Sequence, residues 1–235
     1  MIPKYWLNEG GQSVSGKLID FVIETHPAYG ELKLKSEKRN IHEHDFLNEL
    51  LVSMATDQGL ESIAHLTLDV HVWPDFHGNR SPLADSSLKG MISGLTLSSS
   101  IENLALMYLA TVQSIALGTK LIIDAMEEAG HDFSSVFACG GLSKNNLFIQ
   151  VHADVSALPV MLPQEADSVL VGAAILGACA SSQFKNVEDA MRNMCKLGSV
   201  VKPITTNIPF YKQKYAVFRK MVQDQKEYQS IMKSM

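Results

Sequence analysis

The chain has 235 residues, 46% hydrophobic and 19% charged. That supplies a core for one large domain or two small ones and argues against a disordered chain. A formal net charge of −5 argues against a nucleic-acid partner, whose phosphates demand clustered Lys and Arg; the basic stretch from Lys33 to Arg39 is flanked and broken by Glu31 and Glu37. Cys139, Cys179 and Cys195 form no Cys-x-x-Cys pair and sit in apolar sequence, so they read as small buried hydrophobes in a reducing, cytoplasmic setting rather than as disulfides or zinc ligands.

The N-terminus lacks the charged and apolar regions of a signal peptide. From Tyr5 the chain reads through a Gly-Gly pair into a helix ending near Thr25, with Ser13 or Ser15 as cap, Val14, Leu18, Ile19, Val22 and Ile23 on one face, and Pro27 as the stop. Tyr29 to Asn40 is polar and predicts a loop. Glu43 to Gln58 predicts a helix with Phe46, Leu47, Leu50, Leu51 and Met54 together, ended by Gly59. Leu66 to Val72 alternates apolar and polar residues as a half-buried strand does. A turn-rich stretch, Pro74 to Ser87, leads to a strand near Met91 to Leu97. Ser100 caps a long helix that Gly130 closes. Gln113, Ser114 and Lys120 interrupt its apolar run, and a membrane span wants about 20 mostly apolar residues, so the helix reads as buried in protein and no membrane partner is expected.

The remainder alternates: strand Ser135 to Cys139, helix Asn145 to Ala157, strand Pro159 to Leu162, helices Asp167 to Ser181 and Val187 to Met194, a short strand at Val200-Val201, and an amphipathic helix from Ile208 to Met235. The order predicts an α/β domain with helices on a largely parallel sheet.

Two segments carry chemistry. Phe137-Ala138-Cys139-Gly140-Gly141-Leu142-Ser143-Lys144-Asn145-Asn146 is a strand, a double glycine and a helix start. The glycines admit positive φ and close approach of a flat ligand, and the helix start offers free N–H donors; a plain tight turn into a helix fits the same residues. Ser168 to Ala178 places Gly172, Ala173, Gly177 and Ala178 on a helix, where small residues permit close approach to a ligand or tight packing on a sheet. Their spacing suits strand, helix, strand, helix, so both can meet at the carboxyl ends of the strands, where open α/β sheets bind ligands. His42, His44, His65, His71 and His77 match no zinc spacing and read as solvated or capping residues. Asp20 and Glu24 share a helix face without other acid–base partners.

Cys139-Gly140-Gly141-Leu142-Ser143-Lys144-Asn145 resembles the adenosine motif of the FGGY carbohydrate kinases, members of the actin, Hsp70 and hexokinase superfamily. Gly90-Met91-Ile92-Ser93-Gly94-Leu95 with Asn103-Leu104 resembles the family's second signature, with Met107 and Ala110 where that signature has other residues. Tyr5-Trp6-Leu7-Asn8-Glu9-Gly10-Gly11-Gln12-Ser13 and Asp75-Phe76-His77-Gly78-Asn79-Arg80-Ser81-Pro82 are similar to ribulokinase-type members. The resemblance implies an actin-like, ribonuclease H-like ATPase C-terminal domain over residues 1–235, from which the first two strands can be absent. It implies ATP with Mg2+ as cofactors. Gly140, Gly141, Leu142 and Ser143 would lie against the adenosine, Asn145 would hydrogen-bond the base, and Gly10, Gly11 and Gln12 would lie near the phosphates or ribose. Arg80 would contact phosphate or sugar, or else pair with Asp75 or Asp85.

The same resemblance places the catalytic Asp, the Gly-Thr-Ser type phosphate hairpin and the sugar pocket before the Trp6-Leu7-Asn8-Glu9 stretch. No Asp-Ala-His or Gly-Thr-Ser segment occurs in this sequence. The expectation is therefore no catalytic residue and no metal ligand here, a missing N-terminal sugar domain, and a chain that phosphorylates a ketopentose only with that domain restored. The alternative is a non-catalytic truncated isoform that binds adenine nucleotide or other chains. An unpaired sheet edge makes self-association the expected liability.

Overall fold

The computed structural model describes residues 6–165 and 167–234; the Tyr5 end of the first motif and Met235 lie outside them. Eight helices, three short 3-10 turns and five strands follow the chain among these residues. The N-terminal part is helical: α1 (Gly16–Thr25), α2 (Tyr29–Arg39) and α3 (Glu43–Asp57). Next come β1 (His71–Trp73) and β2 (Met91–Ser93), antiparallel with His71 opposite Ser93. The long α4 (Ile101–Glu128) is capped by Ser100, whose Oγ accepts the Asn103 N–H, and Gly130 turns the chain away at φ 94°.

Helix α4 is the axis of the molecule. It touches α1, α2, α3, β1, α5 (Asn146–Ser156) and α8 (Ile208–Lys233). By length and composition it could cross a membrane, but 72% of its most apolar window is buried inside the molecule. Its polar residues are used internally: buried Gln113 accepts from Thr67 Oγ1 at 2.7 Å and donates to the Ala64 carbonyl. Helix α8 completes this core with Phe210, Tyr211, Phe218 and Met221, and the Phe218 ring lies 4.4 Å from that of fully buried Trp73. Each large apolar side chain buried in this way contributes roughly 1.5–3 kcal/mol.

A second, smaller core lies where β3 (Val136–Phe137), β4 (Val160–Pro163) and β5 (Leu197–Val201) pack on α5 through Ile149, Ala153 and Val160. The strands run in the order β3-β4-β5, the first pair parallel and the second antiparallel. The expected largely parallel sheet is thus corrected to two small sheets with one parallel pairing among the described residues. Helices α6 (Ser168–Ala180) and α7 (Val187–Met194) pack chiefly on each other.

Three local expectations are also corrected. Tyr29 to Asn40 is a helix: Leu32 and Ser36 are buried, Lys35 bridges Glu31 at 2.6 Å, and Asn40 ends it in the left-handed region at φ 52°. Leu66 to Val72 is not one strand, because Ile63–Thr67 forms a 3-10 turn capped by Ser62 and only His71–Trp73 pairs. Cys139 and Cys195 are exposed rather than buried, and all three cysteines are free thiols.

Candidate nucleotide-binding cleft

After β3 the chain reaches Gly140 at φ 93°, a conformation that strains any residue with a Cβ, and then a 3-10 turn, Gly141–Lys144. Ser143 closes this bend, its N–H and Oγ both donating to the Gly140 carbonyl, at 3.1 and 2.7 Å. A Cβ added at Gly140 or at Gly141 would meet nothing within 4 Å. The paired glycines therefore present bare backbone to open space rather than to a packed neighbour.

Asn145 anchors the bend from beneath. It is 7% exposed, and its Oδ1 accepts the N–H groups of Leu147 and Phe148, which makes it the cap of α5. The same oxygen accepts from Asn48 Nδ2 at 3.1 Å, Asn145 Nδ2 donates to the Tyr108 hydroxyl at 2.7 Å, and that hydroxyl donates to Asn48 Oδ1 at 3.0 Å. Three side chains from α3, α4 and the start of α5 thus close a hydrogen-bonded ring, and burial pushes the Tyr108 hydroxyl well above the ordinary phenol range. The Asn145 oxygen is committed to three donors and one of its two amide N–H groups to Tyr108, so Asn145 holds the bend in place while lining the cleft beside it.

Two clefts share this bend. One of about 440 Å³ is lined by Gly141, Leu142, Lys144 and Asn145 on one side and by His42, His44 and Asp45 of the first turn of α3 on the other. The second, of about 170 Å³, lies between Gly140, Gly141 and Lys144 and the start of α6 at Asp167, Ser168, Val169 and Leu170. The two glycine-bearing segments singled out in the sequence therefore do meet. Ser168 Oγ is buried there without a hydrogen-bond partner among the described residues. The small residues of α6 do not pack tightly on the sheet, since Gly172 and Gly177 also face open space.

Gly10, Gly11 and Gln12 line neither cleft; Gly10 and Gln12 brace α4 instead. A Cβ on Gly10 would strike Ile122 at 2.6 Å, and Gln12 Nε2 donates to the Ile115 carbonyl and to Thr119 Oγ1. The link to the bend is indirect: Gly16, at the start of α1, lies against the Leu142 side chain. Arg80 pairs with Glu9 and covers Gly11, which corrects the expected pairing with Asp75 or Asp85. Those two acids accept from Asn79 and Ser87 respectively. Asp20 and Glu24 both lie near Lys17, an exposed charge cluster. Among the described residues no three His, Cys, Asp or Glu side chains converge as metal ligands.

The cleft residues that sequence reading missed are His42, His44 and Asp45, together with Asn48 and Tyr108 of the ring. Nothing local marks them, because Asn48 meets Asn145 across 97 positions of sequence.

Residues 1–181 match the FGGY family of carbohydrate kinases, C-terminal domain. The human protein named FGGY carbohydrate kinase domain-containing protein is 56% identical over 99% of this chain, which spans 42% of that relative. A D-ribulokinase of Saccharomyces cerevisiae is 37% identical over 77% of the chain and 25% of its own length. Among solved structures, a xyloylose kinase from Brucella ovis superposes with a TM-score of 0.72 at 18% identity, over 97% of this chain and 41% of the other. The fold is that of the actin-like sugar kinases, and the chain belongs to the FGGY family of carbohydrate kinases through that family's C-terminal domain.

Proposed function

We propose that this chain supplies the adenosine-binding half of an ATP-dependent kinase for a ketopentose such as D-ribulose, and that it transfers no phosphoryl group by itself. The observation that carries the first part is the bare backbone of the glycine pair, with Gly141 opening onto a cleft of about 440 Å³ and Gly140 onto the smaller cleft beside it. Its volume lies in the range of small-molecule sites. Gly141, Leu142 and Lys144 offer the bend surface, and Gly140 with the start of α6 continues it toward Asp167 and Ser168. The ketopentose is inferred from the ribulokinase-type motifs at Trp6 to Ser13 and Asp75 to Pro82 and from the D-ribulokinase relative.

Phosphoryl transfer is mainly positioning and charge stabilisation. Bound Mg2+ neutralises phosphate charge. Within this chain the bend and its two facing helix starts provide the surface that orients the nucleoside. The base for the sugar hydroxyl is assigned to the part of the kinase that the relatives carry beyond this chain's 42% share.

The test has two arms. In a coupled ADP-release assay with D-ribulose, this chain alone should be silent and the chain joined to the remaining kinase sequence active; turnover by the chain alone overturns the second half of the proposal. In an equilibrium titration with ATP, Gly141→Asp should abolish binding while its unfolding midpoint stays near wild type, because the added side chain enters open space. Equal affinities would remove the adenosine site from this bend.

A second reading, a non-catalytic interaction module, is favoured by one observation. Val169, Leu170 and Leu176 of α6 are 82%, 67% and 62% exposed, an apolar surface that suits a protein contact.

A further inference from the structure

The wall facing Gly141 across the larger cleft is the first turn of α3. His42 caps that helix: its Nδ1 accepts the His44 N–H at 3.1 Å, which fixes the spacing of the two residues. Their rings meet edge to face with centroids 4.7 Å apart, and the His44 ring lies 5.5 Å from that of Tyr108 at 32°. An aromatic series therefore runs from the buried Tyr108 through half-buried His44 to exposed His42 and ends at the cleft. The Asn48–Tyr108–Asn145 ring ties α3 and the glycine bend to one frame, so the distance between the two walls is held by buried hydrogen bonds.

A purine has two flat faces, and the bare backbone at Gly141 can cover only one of them. We propose that His44, held by His42, supplies the opposite surface, so that the base is clasped between an imidazole of α3 and the Gly140–Gly141 bend. The inference rests on the adenosine site proposed above and adds the residue that selects for a flat base. The other lining groups suit it: Leu142 is apolar, while Asp45 and Lys144 stand at the cleft as polar groups for the edge of the base or the ribose. Burial and the neighbouring His42 lower the His44 pKa, against weaker opposite pulls from Asp20 and Asp45, which favours a neutral ring.

The test is calorimetric titration of ADP into wild type, His44→Phe, His44→Ala and Gly141→Asp, with inorganic pyrophosphate as a probe lacking a base. Base–aromatic stacking of ordinary strength makes His44→Ala about tenfold weaker or more for ADP, with His44→Phe within about threefold of wild type and pyrophosphate unaffected. Equal ADP affinity in wild type and His44→Ala, with Gly141→Asp inactive, overturns the histidine assignment and leaves the adenosine site standing. Equal losses in the Phe and Ala variants also overturn it. No ADP binding by wild type overturns both. Should His44→Ala fail to fold, photolabelling of wild type with 2-azido-ADP decides: adducts in residues 42–48 support the clasp, adducts in 140–145 with none in 42–48 sink it and leave the adenosine site standing, and adducts confined elsewhere sink both.

Discussion

His152 shows how one half-buried ring ties stability to pH. It sits on α5 facing α4, with Nδ1 2.8 Å from the Phe148 carbonyl and Nε2 3.4 Å from Thr119 Oγ1. That geometry suits a neutral ring donating from Nδ1, and burial pulls its pKa down to about 4 from 6.5. The unfolded chain then binds the extra proton first, so the stability this residue provides is complete above pH ~6.5 and is lost as pH falls toward 4, by up to about 3 kcal/mol. His44 and His71, also lowered by burial, act in the same direction. Thermal midpoints followed from pH 7 to 4.5 should fall less steeply for His152→Gln than for wild type; parallel curves would refute the assignment. Legibility at this scale divides by how far away a residue's partners lie. The Gly140–Gly141 bend is readable because positive φ and close approach are local demands on the chain. The structural role of Asn145 is not readable, because its partners Asn48 and Tyr108, 97 and 37 positions away, leave no trace beside it.

At the scale of elements, helices with a full apolar face are plain in the sequence, α7 down to its bounds at Val187 and Met194. Helix α2 is not, because only Leu32 and Ser36 are buried and the rest of its surface is solvated and polar. Helix α8 is legible as an amphipathic helix, but its polar grips are not. Lys214, 5% exposed, donates from Nζ to the carbonyls of Thr67 and Val70, and Gln225 accepts from the Lys89 N–H and donates to the Lys89 carbonyl. These bonds stitch α8 to both ends of the segment that carries β1. Burial lowers the Lys214 pKa to about 7, whereas the two carbonyls favour the ammonium form. Replacing Lys214 by Met leaves both carbonyls without this donor, and the expected loss is about 2–4 kcal/mol in urea unfolding. A change below about 0.5 kcal/mol would show that water replaces the ammonium without cost.

At the scale of the whole molecule, the two ends of the α/β part differ in how well they are covered. The side of the sheet near α5 is packed, while Phe137 of β3 is 72% exposed and α6 presents Val169, Leu170 and Leu176 to solvent. The alternation of strands and helices is legible; which faces stay uncovered is not, since burial depends on neighbours that no local pattern names. Sedimentation should show a mass that rises with concentration, and Leu170→Glu should shift it toward the monomer. A monomer at every concentration with a midpoint above about 60 °C would contradict this. The family match stops at residue 181, yet Trp73 in the first core is roofed by Phe218 of α8. The family's C-terminal domain match and the folded core therefore draw different borders here, although relatives align over nearly the whole chain. Trimming the gene to residues 1–181 would uncap the largest side chain in the interior and yield a product that collapses without settling into one native packing.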